Sequence, residues 1–192
     1  MNIHPPEGKY IFSSAGSRGA AHARDIPTLI KALKLLAGDG VMIKLVIAMD
    51  DSAGNKLPKF CKELSHCETL TLNRFEHREF IKNSFLVVVP IVGRERNLER
   101  GTTVVVEALA HGKPVISTSF PNSFEGYIED GRNGYLVPPG DATAIASRIS
   151  EILKNNTLQE KIEEYTMASS HQFSDIYGDG LNYICKICEK YL

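Results

Sequence analysis

SFLVVVPIV (84–92), GRERNLER (93–100), GTTVVVEALAHG (101–112) and KPVISTS (113–119) form one continuous stretch, and its reading decides the architecture. Ser84–Val92 is the most hydrophobic run in the chain, short and Val-rich, as a strand buried on both faces must be. The charged loop that follows mixes signs, as a solvent-exposed connection does. Residues 101–112 then predict a helix closed at Gly112, where a helix stop belongs, and 113–119 predict a second strand. Strand, helix, strand in this order is a parallel βαβ unit, whose crossover is right-handed.

The same alternation continues in both directions. Upstream, KYIFSSAG (9–16) reads as a strand, and RDIPTLIKALKLLAGDG (24–40) sets Ile26, Leu29, Ile30, Leu33 and Leu36 on one helical face closed by Gly38. VMIKLVIAMD (41–50) predicts a buried strand, Pro58–Ser65 a short helix, ETLTL (68–72) a strand and EHREFIKN (76–83) another short helix. Downstream, NGYLVPPGD (133–141) supplies a last strand and a turn, Asp141 caps the helix ATAIASRISEILKN (142–155), and the chain is helical from Thr157 onward. Strands alternating with helices of this length require a parallel sheet covered on both faces, an α/β Rossmann-like doubly wound fold. No repeat, low-complexity tract or linker divides residues 1–192, so a single domain is expected.

Composition narrows the function classes. Lys and Arg number 22 against 23 Asp and Glu, so no bulk field exists to hold nucleic acid or an anionic membrane, and any anion site is local. Phe85–Val92 is far shorter than the roughly 20 apolar residues that span a bilayer, and MNIHPPEGKY lacks a basic-then-apolar signal design. A cytoplasmic protein without a transmembrane segment is expected. Cys185 and Cys188 fall on one apolar helical stripe with Leu181 and Ile184, and Cys61 and Cys67 are too far apart for a zinc knuckle. Reduced, structural thiols are expected, with no metal site.

In such sheets ligands bind beyond the carboxyl ends of the strands, which directs attention to residues 15–25, 92–103 and 118–126. Glu107 stands between Val104, Val105 and Val106 on one side and Ala108, Leu109 and Ala110 on the other. A carboxylate buried there costs several kcal/mol unless it is hydrogen-bonded. The vicinal hydroxyls of a ribose would satisfy it; so would an Arg of the protein, or a place at the solvent edge of the helix. Gly101, Thr102 and Thr103 place free N–H groups and little bulk at a helix start, a site that suits a diphosphate and is also an ordinary cap.

With these residues in view, the segment resembles the signature of the group 1 family of GT-B glycosyltransferases, whose E-x7-E pattern is here Glu99 to Glu107. VVVP before it, EALAHGKPVIST within it, YIEDGRNGYLVPPGDATAIASRI after it and SAGSRGAAHARDIPTLIKAL near the start agree with the family in order and spacing, from about Tyr10 to Phe173. The resemblance implies the C-terminal, donor-binding half of such an enzyme. It implies transfer of a sugar from a nucleoside diphosphate to an acceptor hydroxyl with retention, without a metal or other cofactor.

Roles carry over residue by residue. Glu107 corresponds to the ribose-binding Glu and Glu99 to the one facing the donor sugar; Gly101, Thr102 and Thr103 correspond to residues meeting diphosphate and sugar. Arg18 and Arg24 resemble the paired cations that neutralise the leaving diphosphate, with Gly16 in the same loop. Asn73, Arg74 and Phe75 fall where relatives contact the nucleobase through their backbone. The sequence departs from the pattern at Arg24, where the family often has Lys followed by Gly; Arg can still clamp two oxygens. A complete GT-B enzyme has two such domains, so the expected partners are a nucleotide sugar and an N-terminal acceptor-binding domain or subunit, through which peripheral membrane association would arise. The alternatives are a non-catalytic nucleotide-binding subunit completed by a partner chain and a GT-B epimerase.

Overall fold

The structure, a computed structural model, describes residues 3–15, 24–49, 61, 64–92, 99–119 and 127–169. In chain order these form β1 (Tyr10–Ser14), α1 (Ile26–Gly38), β2 (Lys44–Met49), β3 (Cys67–Thr71), α2 (Arg74–Asn83), β4 (Leu86–Val89), α3 (Glu99–Ala110), β5 (Val115–Thr118), β6 (Gly134–Val137) and α4 (Ala142–Lys154). A further helix, α5, covers 156–169. The six strands make one sheet in the order β3-β2-β1-β4-β5-β6, with every neighbouring pair parallel. The order reverses between β1 and β4, the switch point at which doubly wound sheets open a crevice.

The period of two along the strands divides the core. Ile11 of β1 and Leu86 and Val88 of β4 pack with Leu29, Ile30 and Leu33 of α1 and Ile145 and Ile149 of α4 on one face. Tyr10 and Phe12 of β1 and Val87 and Val89 of β4 pack with Phe80 and Ile81 of α2 and Val105 and Leu109 of α3 on the other. Each Val, Leu or Ile buried in this way stabilises the domain by about 1.5–3 kcal/mol. The alternation therefore commits each strand to two layers of helices at once.

Side chains finish what the ladders leave open. Asp25 caps α1 by accepting from the Thr28 amide (3.2 Å) and Asp141 caps α4 by accepting from Ala144 (2.8 Å). Gly112 ends α3 with φ of 67°, which a residue bearing a Cβ adopts only with strain. The buried hydroxyls of Ser13 and Ser117 donate to the carbonyls of Val88 (2.7 Å) and Val89 (2.8 Å), tying β1 and β5 to β4 near the carboxyl edge.

Two helices start earlier than the sequence pattern predicts. α2 begins at Arg74 rather than Glu76, because Asn73 and Glu76 form a reciprocal capping box that holds the first turn closed. α3 begins at Glu99 rather than Gly101, drawing the end of the charged loop into its first turn. Glu and Arg are good helix formers, and an acid in a first turn complements the helix dipole. The short helix predicted over Pro58–Ser65 lies largely outside the described residues, as do Cys185 and Cys188. Cys61 and Cys67 carry free thiols in mutual hydrogen-bonding contact, and that contact, with burial, pushes the Cys67 thiol above its ordinary range. Among the described residues no helix is long and apolar enough to cross a membrane.

Candidate functional site

Because all strands run parallel, α1, α2 and α3 each begin at the carboxyl edge of the sheet, and α1 and α3, on opposite faces, follow the two strands that flank the switch point. Arg24 forms an isolated bridge with Ile91 just past β4, and the Asp25 amide donates to the Pro90 carbonyl at 2.9 Å. Thr118 at the end of β5 fixes Ile91 from the other side, accepting from its amide (3.1 Å) and donating to its carbonyl (2.9 Å). Arg24 and Asp25, which lead into α1, are thereby pinned to the chain just past β4. Arg24 is only 6% exposed, and burial lowers its guanidinium to about 10, which leaves it cationic at neutral pH. A buried cation beside a helix N-terminus is suited to an anion.

Glu107 lies in the third turn of α3, where it faces α2, and is 5% exposed. Its Oε1 lies 3.8 Å from Arg78 Nε and its Oε2 lies 3.6 Å from His77 Nδ1. Both separations exceed hydrogen-bond length, so these are ion-pair and polar contacts that offset part of the cost of burying the carboxylate. His77 in turn stands edge-on to the Phe12 ring, with centroids 5.0 Å apart and planes at 87°. His111, at the end of α3, is held below its ordinary value, chiefly by burial.

The N-terminus of α2 is closed by its own residues. The Asn73 side chain accepts from the amides of Phe75 (2.9 Å) and Glu76 (3.0 Å), while Glu76 Oε2 accepts from the Asn73 amide (2.9 Å). The Asn73 carbonyl takes the His77 amide at 2.9 Å. Three backbone groups of the segment expected to meet a nucleobase, the Asn73 N–H and C=O and the Phe75 N–H, are thus engaged within α2 itself. Phe75 is 79% exposed on the same turn and offers a ring face there.

Of the residues singled out in the sequence, Arg24, Thr103 and Glu107 are described in full: Arg24 beside β4, Thr103 exposed on the second turn of α3, and Glu107 buried one turn deeper. Glu99, Gly101 and Thr102 occupy the first turn of α3, and Arg74 is the first residue of α2. Gly16 and Arg18 lie outside the described residues. The sequence reading missed His77 and Arg78. Their signal, a His and an Arg side by side just after a capping box, says nothing about a carboxylate 29 positions beyond Arg78 until α2 and α3 are laid side by side.

Comparison with known proteins follows the same lines. LpsE of Rhizobium meliloti (strain 1021), a lipopolysaccharide core biosynthesis glycosyltransferase, is 28% identical over 137 residues, 71% of this chain and 38% of its own length. HepE of Anabaena, solved with UDP and glucose, superposes with a TM-score of 0.69 at 18% identity, covering 92% of this chain and 48% of HepE. The C-terminal domain of LpcC, a glycosyl transferase group 1 family protein of Francisella tularensis, superposes with a TM-score of 0.65 at 16% identity over 90% of this chain and 94% of that domain. The chain spans less than half the length of the curated relatives it matches. Residues 3–168 match the family described as glycosyl transferases group 1, and the chain belongs to that family.

Proposed function

We propose that this domain binds a nucleoside-diphosphate sugar and serves as the donor half of a glycosyltransferase that transfers the sugar to an acceptor hydroxyl with retention. The observation that carries the reading is at the switch point of a group 1 domain: a buried Arg24 bridged to Ile91 just past β4, where the chain leads toward α3, the helix that also carries the buried carboxylate of Glu107. In this reading Arg24 and the N-terminus of α3, with Arg18 from the same loop, stabilise the negative charge that grows on the diphosphate as the glycosidic bond breaks. Preorganised charge of this kind is commonly the largest single contribution to rate. Glu99 orients the donor sugar, Glu107 accepts from the ribose, and no metal is needed. The acceptor comes from a second domain or subunit that closes the cleft.

The test is a thermal shift and calorimetry series with UDP, GDP and ADP and their sugar conjugates, in EDTA. A ligand that binds only the folded state raises the melting temperature by mass action, with about 2.7 kcal/mol of stabilisation at one hundred times its Kd. At least one nucleotide of the series is expected to do so. A strict requirement for a divalent ion would overturn the two-arginine account, and no shift with any of them would overturn donor binding itself.

A further inference from the structure

We propose that Cys61 and Cys67 are a redox modification site, a dithiol that closes to an intramolecular disulfide when the protein meets hydrogen peroxide and so clamps the start of the edge strand β3. The inference stands apart from the donor reading. Cys67 opens β3 in register with Leu45 near the amino end of β2, whereas α1, α2 and α3 begin at the carboxyl edge of the sheet. The backbone brings the pair together. The Leu64 amide donates to the Cys61 carbonyl (3.4 Å) and the Cys67 amide donates to the Leu64 carbonyl (3.0 Å), so two turns in succession fold the chain back between the cysteines. The Leu45 amide donates to the His66 carbonyl (2.9 Å), which fixes the second turn to β2. Both side chains fall in the core layer shared with α1, Cys61 buried beside Leu64 and Cys67 half-buried against that layer, and their thiols meet in a hydrogen bond.

Two thiols in contact on a fixed backbone differ from cysteines that merely fill space. A disulfide brings its sulfurs to about 2 Å, and thiols that already touch approach that by side-chain rotation, with little movement of the chain. The pair also lies at the border of the core, because β3 is an edge strand and Cys67 is its first residue. The Cys67 S–H donates to the Cys61 sulfur and favours the Cys61 thiolate, the form that reacts with peroxide. In the first step the Cys61 sulfur attacks one peroxide oxygen; the O–O bond breaks, Cys61 becomes a sulfenic acid, and the departing hydroxide takes up the proton that Cys61 gave up. In the second step the Cys67 sulfur attacks the sulfenic sulfur; the S–S bond forms, the S–O bond breaks, and the Cys67 proton leaves with the hydroxyl as water. Two thiols lose two electrons and two protons, and hydrogen peroxide is reduced to two waters. Among the described strands β3 is held to the sheet only by β2, so its start is a place where the fold opens locally. A bond across the turn removes that opening and also restricts the unfolded chain.

Peptide mapping by mass spectrometry tests the bond itself. Trypsin cuts after Lys59, Lys62 and Arg74, so a Cys61–Cys67 disulfide joins peptides 60–62 and 63–74, which no other pairing of the four cysteines joins. Peroxide in small excess is expected to produce that joined pair from monomeric protein, and dithiothreitol to separate it. Melting temperatures are compared in proteins that carry Cys185→Ser and Cys188→Ser, so that this bond alone is read. The oxidised form should melt about 4–8 °C above the reduced form, and adding Cys67→Ser should abolish the difference. If Cys67→Ser fails to fold by circular dichroism, Cys61→Ala takes its place, and the mapping of the wild type depends on neither. Peptides that stay separate, with free thiols or with either cysteine carried on to sulfinic acid, would overturn the proposal, as would a joined pair recovered only from covalent dimers. A joined pair with an unchanged melting temperature would overturn it too, since the bond would then clamp nothing.

Discussion

Gly134 opens β6 in register with Val115 of β5, and the two backbones approach so closely there that no other residue fits. A Cβ built at Gly134 lies 2.0 Å from the Val115 carbonyl oxygen, 2.9 Å from its carbon and 3.0 Å from its nitrogen. Ordinary contact begins at 3.4 Å, so Gly134→Ala forces the strands apart by about 1.4 Å (3.4 less 2.0) at this rung. β5 is held on its other side by β4, so β6 is the strand that moves. Two or three rungs of the β5–β6 ladder are then lost at about 1 kcal/mol each, and Tyr135 and Val137 lose part of their packing on the α4 face. The expected cost is about 3–5 kcal/mol, a large share of the 5–15 kcal/mol that holds a domain folded. For a chain of this size that is a fall in melting temperature of roughly 6–20 °C. Urea denaturation followed by circular dichroism measures it, with Gly38→Ala at the open end of α1 as a control expected to be neutral or stabilising by up to about 1 kcal/mol. A Gly134→Ala protein within about 1 kcal/mol of the wild type would refute the reasoning, since an overlap with interior backbone cannot be relieved that cheaply.

Glu107→Gln keeps the shape of the side chain and is expected to weaken nucleoside-diphosphate binding about ten- to a hundredfold by calorimetry, with unchanged affinity assigning Glu107 to structure alone. His111 is held below its ordinary value by burial, so the unfolded chain takes up the proton first as pH falls; stability is then lost as pH drops below about 6.5 and is unaffected above it. His111→Asn should flatten the fall in melting temperature between about pH 7.5 and 5.5, and an unaltered slope would place that loss on other groups. The isolated chain is expected to bind donor yet transfer sugar poorly, because positioning of the second reactant supplies up to about 7–11 kcal/mol of barrier lowering. Supplying an acceptor-binding domain in trans should restore transfer, with Glu99→Ala still inactive; brisk glycosylation by the chain alone would count against a divided site.

The order of strands and helices, the parallel sheet and the two-layer cover were legible in the sequence, because they follow from local periodicity. Val87 and Val89 alternate with Leu86 and Val88 whatever lies opposite them, and Asp141 caps the helix that follows it without help from elsewhere in the chain. The spacing of Glu99 and Glu107 is also a local fact, and it points to the family without any tertiary structure. Helix starts were legible only to within two residues: the box that begins α2 at Arg74 depends on Asn73 and Glu76 reaching each other, and hydropathy does not report that reach. What tertiary structure alone decided was which groups meet. Arg24 lies against Ile91 because strand order reverses between β1 and β4, and Arg78 and His77 reach Glu107 because α2 and α3 pack on one face of the sheet. A buried carboxylate announces in the sequence that it needs a partner; its position in the packed layer determines which one it has, because charges interact over ångströms of space and not over positions along the chain.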